Sequence, residues 1–288
     1  MRNIDFICVS LAIINEQLWK FPQLKKIAKI ATTFLLKPVI NKYRLFLALF
    51  LNEIIGDNRM EELEQETFGE PDMEVAAPNE PHVACVLLVD TSGSMSGAPI
   101  DNLNRAINDF KVKTSLDELA QKRVDISIIE FNSNVNVVQE FVPLPRMEPI
   151  TLSAGGMTSM GAAIDMAIDK VKERVRFYAS MGTPSYPSHI FMITDGAPTD
   201  NIDAARDRVH LEQEQKRKLK FFAIGVDGYD KNTLTSLTKR CISLDNTDFE
   251  HIFNWISESM AIISASKVGD NPQLPALPEN AHIIPSDW

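Results

Sequence analysis

The chain has 288 residues, 44% hydrophobic and 24% charged, which is enough to bury a full core in one or two domains, and its formal charge is −10. That acidic balance argues against nucleic-acid binding, whose usual footprint is a basic stripe or face. Three widely spaced cysteines, Cys8, Cys85 and Cys241, form no CxxC pair, and the five histidines show no HExxH or related spacing. A disulfide framework and a zinc site are therefore not indicated, and a reducing, cytoplasmic compartment is expected.

Charge is unevenly spread. Residues 1–60 carry nine Lys and Arg against four acids, whereas 61–80 carry eight acids and no base. Apolar stretches at 6–14, 27–40 and 45–51 are interrupted by Lys25, Lys26, Lys29, Lys37, Lys42 and Arg44, and none reaches the roughly 18 to 20 residues a membrane span needs. A signal peptide beginning at Arg2 lacks a small-residue cleavage site and runs into Asn15, Glu16 and Gln17. The expectation for 1–60 is a helical appendage packed on the main domain, with contact to anionic lipid as the less favoured alternative. The abrupt change of composition at Met60 also makes residues 1–59 a candidate upstream extension that the fold does not need. The acidic stretch 61–80, with Pro71 and Pro78, reads as a linker.

From residue 81 strand-like runs alternate with helical patterns, predicting a doubly wound, mostly parallel α/β sheet over 81–268 with helices on both faces. Val83 to Val89 is the first strand, and Ile100 to Lys113 a helix with Leu103, Ala106, Ile107 and Phe110 on one face. Ser115 and Glu118, three apart, suggest a capping box for a short helical turn. Val124 to Phe131 and Val135 to Val142 are separated by only Asn132, Ser133 and Asn134, so they form an antiparallel hairpin and one edge strand runs backwards. A helix burying Ile164, Ala167, Ile168, Val171 and Val175 follows Gly155, Gly156 and Thr158. Ile190 to Thr194 is a buried strand, Asp200 to Lys218 a polar surface helix, Phe221 to Val226 a strand, and Asp230 to Lys239 a helix capped by Asp230. Cys241 to Leu244 is expected to be the sixth and last strand. A helix beginning at Asp248 buries Phe249, Ile252, Phe253, Ile256, Met260 and Ile263, and the Pro-rich tail 269–288 is expected to be extended and partly mobile.

Ligands of open parallel sheets gather beyond the carboxyl ends of the strands. Three oxygen-rich loops fall there: Asp90 to Gly97, Gly155 to Gly161, and Thr194 to Asp200. Carboxylates and hydroxyls in such loops suit a hard divalent cation, and Gly93, Gly97, Gly155 and Gly156 permit tight turns around it. Glu130 and Asp227, at the ends of other strands, are candidates for supporting contacts or rim charges, with solvated strand-end residues as the more ordinary reading.

The motifs DTSGS, GGMTS and ITDG, in this order, resemble the metal-ion-dependent adhesion site of von Willebrand factor A domains, over about residues 81–268. The resemblance implies a Rossmann-like fold and assigns Asp90, Ser92 and Ser94 of the first loop, Thr158 of the second and Asp195 of the third as ligands of Mg²⁺, with Mn²⁺ or Ca²⁺ as alternatives. It also implies a non-enzymatic module that recognises an Asp or Glu side chain of a partner protein. The compact chain with its IIEFNS strand is similar to the bacterial TerY-like tellurite-resistance group, which implies a stress-response setting, although a cysteine-rich carboxyl-terminal module found in some relatives is missing. One alternative is a Mg²⁺-dependent phosphoryl hydrolase using Asp90, against which stands Ser92 in place of a second aspartate; Ser94 as a hydrolase nucleophile lacks a G-x-S-x-G around it. Another is a scaffold or chaperone-like adaptor docked to a membrane or assembly through residues 1–60.

Overall fold

The computed structural model describes residues 75–286; the expected appendage and most of the acidic linker lie outside them. Seven strands among the described residues form one sheet: β1 (Val83–Asp90), β2 (Val124–Phe131), β3 (Val135–Pro143), β4 (Ser188–Thr194), β5 (Leu219–Gly225), β6 (Cys241–Leu244) and β7 (Ala281–Ile284). Their spatial order is β3-β2-β1-β4-β5-β6-β7. The five inner strands are parallel, while β3 and β7 run antiparallel at the two edges.

The expected sheet is thus present with one strand more. Four residues amid prolines are too few to show a period of two. β7 forms because the tail folds back: Trp255 Nε1 donates to the Pro275 carbonyl at 3.0 Å, and Ala281–Ile284 then pairs with Cys241–Leu244.

Six α-helices among the described residues cover the sheet: α1 (Ala98–Thr114), α2 (Glu118–Arg123), α3 (Met160–Ser180), α4 (Asp203–His210), α5 (Lys231–Leu237) and α6 (Glu250–Ala265). Every residue of β1 is buried, as a central strand of a doubly covered sheet requires. Its side chains alternate between two cores. Cys85, Leu87 and Val89 join Leu103, Ile107 and Phe110 of α1 and Ile252, Ile256 and Met260 of α6, whereas Ala84, Val86 and Leu88 join Ile164, Ala167, Ile168 and Val171 of α3. Each Val, Leu, Ile, Phe or Met among them contributes about 1.5–3 kcal/mol by leaving water. No helix of the described residues is long and apolar enough to cross a membrane.

Two local expectations are corrected. The cap of α2 is Asp117, whose carboxylate accepts from the Ala120 N–H at 2.7 Å, because Ser115 is held in helical geometry as the end of α1. The polar helix expected over 200–218 is shorter: α4 covers Asp203–His210 and passes into a π-turn at Leu211–Gln215 that rotates Glu212 and Gln213 inward. Glu212 meets Lys172 and Lys216 at 2.6 and 2.9 Å, which holds its carboxyl below the usual range against the opposing effect of burial.

At the amino-terminal side of the sheet a buried polar knot fastens the entry segment. Asp125 of β2 receives Arg174 Nη2 at 3.0 Å, His82 Nδ1 at 3.2 Å and the Tyr178 hydroxyl on one carboxylate oxygen. Burial, and then the Asp125 charge, pushes the Tyr178 phenol well above its ordinary value. His82 Nε2 bonds the Ala77 carbonyl at 3.0 Å and the Thr183 hydroxyl the Pro78 carbonyl at 2.7 Å, so the chain before β1 is part of the folded unit.

Candidate metal centre

Strand order reverses at β1, which sends the chain to β2 and β3 on one side before β4 returns on the other. The crevice at the carboxyl ends of β1 and β4 is therefore the switch point of the sheet. Asp90 is the last residue of β1, and Asp195 directly follows β4.

Four of the five candidate ligands are joined by direct hydrogen bonds, and Thr194 holds Asp90 at the end of that series. Asp90 is fully buried: one carboxylate oxygen accepts from the Ser92 N–H at 2.8 Å and the other from the Thr194 hydroxyl at 2.6 Å. The hydroxyls of Ser92 and Ser94 are 3.1 Å apart, and that of Ser94 donates to Asp195 at 2.8 Å. Thr158, the fifth, has its hydroxyl near Gly196, 3.7 Å from where a Cβ on that glycine would stand. Its N–H donates to Thr199 Oγ1 at 3.1 Å, and its carbonyl accepts from the Thr199 N–H at 2.9 Å.

Backbone bonds lock the three loops together. Gly93 N–H donates to the Gly156 carbonyl at 3.1 Å and Gly155 N–H to the Thr91 carbonyl at 2.8 Å, joining first loop to second. Gly156 has φ +81°, and a Cβ there would lie 2.6 Å from Ser133 Oγ, so the turn needs glycine. The second and third loops are joined by Asp200, which accepts from the N–H groups of Gly161 and Ala162 at 3.0 and 2.9 Å. Asp200 thus caps α3 from another loop, in a place where Ser159 makes no side-chain cap.

The electrostatics favour a cation. Burial, and more weakly the Asp195 charge, pushes the Asp90 carboxyl above its ordinary value, against the bonds from Thr194 and Ser92 that oppose it. Asp195 is likewise pushed up by burial, against the Ser94 hydroxyl. Among the described residues neither carboxylate has a Lys, Arg or His partner. Two carboxylates without a counter-charge, set among hydroxyl oxygens, are a donor set of the kind that suits a hard divalent ion and not a soft one.

Of the two further acids raised by the sequence, Glu130 receives the Thr91 hydroxyl at 3.5 Å and the Asn136 amide at 3.2 Å, and so borders the first loop. Asp227 follows β5, beside Gly228, whose Cβ would lie 3.0 Å from the Asp195 carbonyl. Thr194 and the capping role of Asp200 were not foreseen. A threonine closing an apolar run reads as an ordinary β-branched strand residue, and an aspartate before a polar stretch reads as the start of its own helix.

A von Willebrand factor type A domain model matches residues 85–257, more than half the chain. A von Willebrand factor A domain-containing protein of Dictyostelium discoideum is 26% identical over 171 residues, covering 57% of this chain but only 17% of that protein. Among solved structures, the pilus adhesin SpaC of Lactobacillus rhamnosus GG is similar over 66% of this chain and 31% of its own (TM-score 0.52, 13% identity). The von Willebrand domain of the type V pili tip protein Mfa5 of Porphyromonas gingivalis is similar over 65% of this chain and 98% of its own (TM-score 0.50, 11% identity), a likeness of fold. With the switch-point loops, the strand order and the matched stretch in agreement, the chain belongs to the von Willebrand factor type A domain family.

Proposed function

We propose that this chain is a non-enzymatic protein-binding module in which Asp90, Ser92, Ser94, Thr158 and Asp195 hold a divalent ion that takes up an Asp or Glu side chain of a partner. The reading is carried by the pair of carboxylates that share a hydroxyl-lined crevice and have no cationic neighbour among the described residues. When bound, Mg²⁺, or Mn²⁺ or Ca²⁺ in its place, supplies a Lewis-acidic position to a visiting carboxylate. The protein's own part is orientation: Thr194 and the Ser92 N–H fix Asp90, Ser94 fixes Asp195, and the Asp200 cap sets where α3 begins and with it Thr158. Pull-down of partners with wild type and Ser92→Ala, with and without chelator, tests this; capture that survives both chelation and the substitution refutes it.

Binding is favoured over hydrolysis because Ser92 stands where a phosphoryl-transfer site built on Asp90 would need a second aspartate as acid and base. A phosphatase screen with Mg²⁺ decides, with turnover lost in Asp90→Asn favouring an enzyme. The TerY-like, stress-response setting rests on the compact chain and its IIEFNS strand; such relatives are associated with kinase and phosphatase partners, and co-purification with one of these from the native source is its test. Cys85 and Cys241 are free and buried, in keeping with a cytoplasmic protein. Docking through residues 1–60 is tested by flotation of the full chain with anionic liposomes.

A further inference from the structure

At the other end of the sheet, where β4 and β5 begin, lies a cavity of about 240 Å³ walled by Tyr186, Lys220, Phe222, Arg240, Ile263 and Leu274. Strand register explains its lining. His189 and Lys220 are neighbours across β4 and β5, and Phe191 and Phe222 follow two residues on, so all four side chains share the face covered by α6. Phe191 and Phe222 stack at 4.9 Å, and the Arg240 guanidinium lies 5.9 Å from the Phe222 ring centre.

Three observations point to an anionic occupant. The first is local charge: in a chain of net charge −10, the wall of this cavity carries two cations, Lys220 and Arg240, against one acid, Asp270.

The second is how the two cations in the wall are held. Arg240 donates to Gln213 Oε1 at 3.0 Å and Lys220 to Asn271 Oδ1 at 3.3 Å, both neutral amide oxygens. Among the described residues neither forms an ion pair with a carboxylate. Asp270, also in the wall, accepts from the Lys267 N–H at 3.3 Å, and Glu214 acts on both cations only at longer range. Burial pushes both groups below their ordinary values; for Lys220 the Arg240 charge adds to it.

The third is that Arg240 is aimed. The π-turn Leu211–Gln215 brings Gln213 to 6% exposure, where its Oε1 gathers the Phe221 N–H at 3.0 Å along with Arg240. Turns of this kind are frequent at functional sites, and a cation fixed beforehand loses little entropy on binding.

We propose that this cavity binds a small organic anion, with its carboxylate or phosphate between Lys220 and Arg240 and its apolar body against Phe222, Tyr186 and Ile263. The guanidinium gives a planar fork and the ammonium a point charge to the same group, and the site is separate from the metal centre. The volume lies just under the range of about 300–1,000 Å³ typical of drug-sized ligands, which limits the occupant to a single ring or a short chain.

The test is an NMR titration of the full chain with phenylacetate, phenyl phosphate and the neutral phenylacetamide, all in excess chelator so that the metal centre takes no part. Saturable binding of at least one anion is expected, with the amide about ten-fold weaker or more, and the preferred anion distinguishes a carboxylate site from a phosphate site. Arg240→Gln and Lys220→Met are each expected to weaken anion binding about ten-fold. The partly exposed Lys220 can be replaced without touching the core, so it decides the matter alone if Arg240→Gln fails to fold. Binding of neither anion, equal binding of the amide, or affinity unchanged in the folded variants overturns the proposal.

Discussion

Thr194→Val isolates one atom group of the metal centre. The hydroxyl it removes donates to Asp90 at 2.6 Å, and both residues are 0% exposed, so water cannot replace the lost donor. Valine fills the same space, so no cavity term enters. A hydrogen bond to a charged group is worth about 1.5–3 kcal/mol, and the buried carboxylate oxygen is left without that partner. The Gly196 N–H also loses the Thr194 oxygen, but that bond is long, at 3.3 Å, and Gly196 is only partly buried. A loss of about 2 kcal/mol follows, or roughly 4–8 °C in Tm for a domain of this size. Because Thr194 orients Asp90, Mg²⁺ affinity should fall about 10- to 100-fold, the usual cost of losing a partner of a ligand. Urea unfolding in chelator gives the first quantity and calorimetric Mg²⁺ titration the second, with Thr194→Ser expected to retain most of both. If Thr194→Val matches wild type within about 0.5 kcal/mol and binds Mg²⁺ equally well, the inferred role of Thr194 is wrong.

Saturating Mg²⁺ should stabilise the domain by about 2.7 kcal/mol at a hundred times Kd, so chelation should lower Tm; identical melting curves would speak against a bound ion. His189 is held neutral, with burial, then Lys220 and Arg240, lowering its pKa from 6.5 to about 3. Its contribution is therefore present above pH 6.5 and lost as pH falls toward 3, and the stability gap between wild type and His189→Phe should change by about 2 kcal/mol from about pH 7.5 to about pH 5. A gap that stays constant across denaturant titrations at these pH values would contradict that assignment. Gly161→Ala would set a Cβ 2.5 Å from the Asn201 carbonyl, which only backbone movement can relieve; about 1–3 kcal/mol of destabilisation and weaker Mg²⁺ binding are expected, read by melting and titration. Arg174→Met, which leaves Asp125 buried without its guanidinium, should cost about 3–5 kcal/mol in urea unfolding.

What the sequence made legible was local. β1 and β4 are built around the apolar runs 83–89 and 190–193 and are buried on both faces, and α3 and α6 show their buried stripes at the helical period. The residues of the candidate centre were visible because two oxygen-rich strings sit directly after β1 and β4 and a third sits just before α3. What was hidden depends on partners distant in sequence. Thr194 matters because Asp90 lies opposite it, 104 residues earlier in the chain, and Asp200 because its carboxylate turns to α3 instead of the helix it precedes. β7 was missed because a four-residue strand is stabilised almost wholly by pairing with β6, and the π-turn because its inward Glu212 and Gln213 break the polar-surface pattern only once folded.

The knot around Asp125 ties residues 77–82 to the sheet, so the folded unit reaches back at least that far. A fragment trimmed to the family-matched stretch, 85–257, would be amputated at both ends: it would forfeit His82, the Ala77 carbonyl that His82 bonds and the Pro78 carbonyl that Thr183 bonds, the first strand's opening residues, and the closing edge Ala281–Ile284. Asp125 would keep Arg174 and Tyr178 but gain an open flank, and β6 would become a raw margin free to recruit foreign strands. Cutting near residues 75 and 286 leaves both seams sewn.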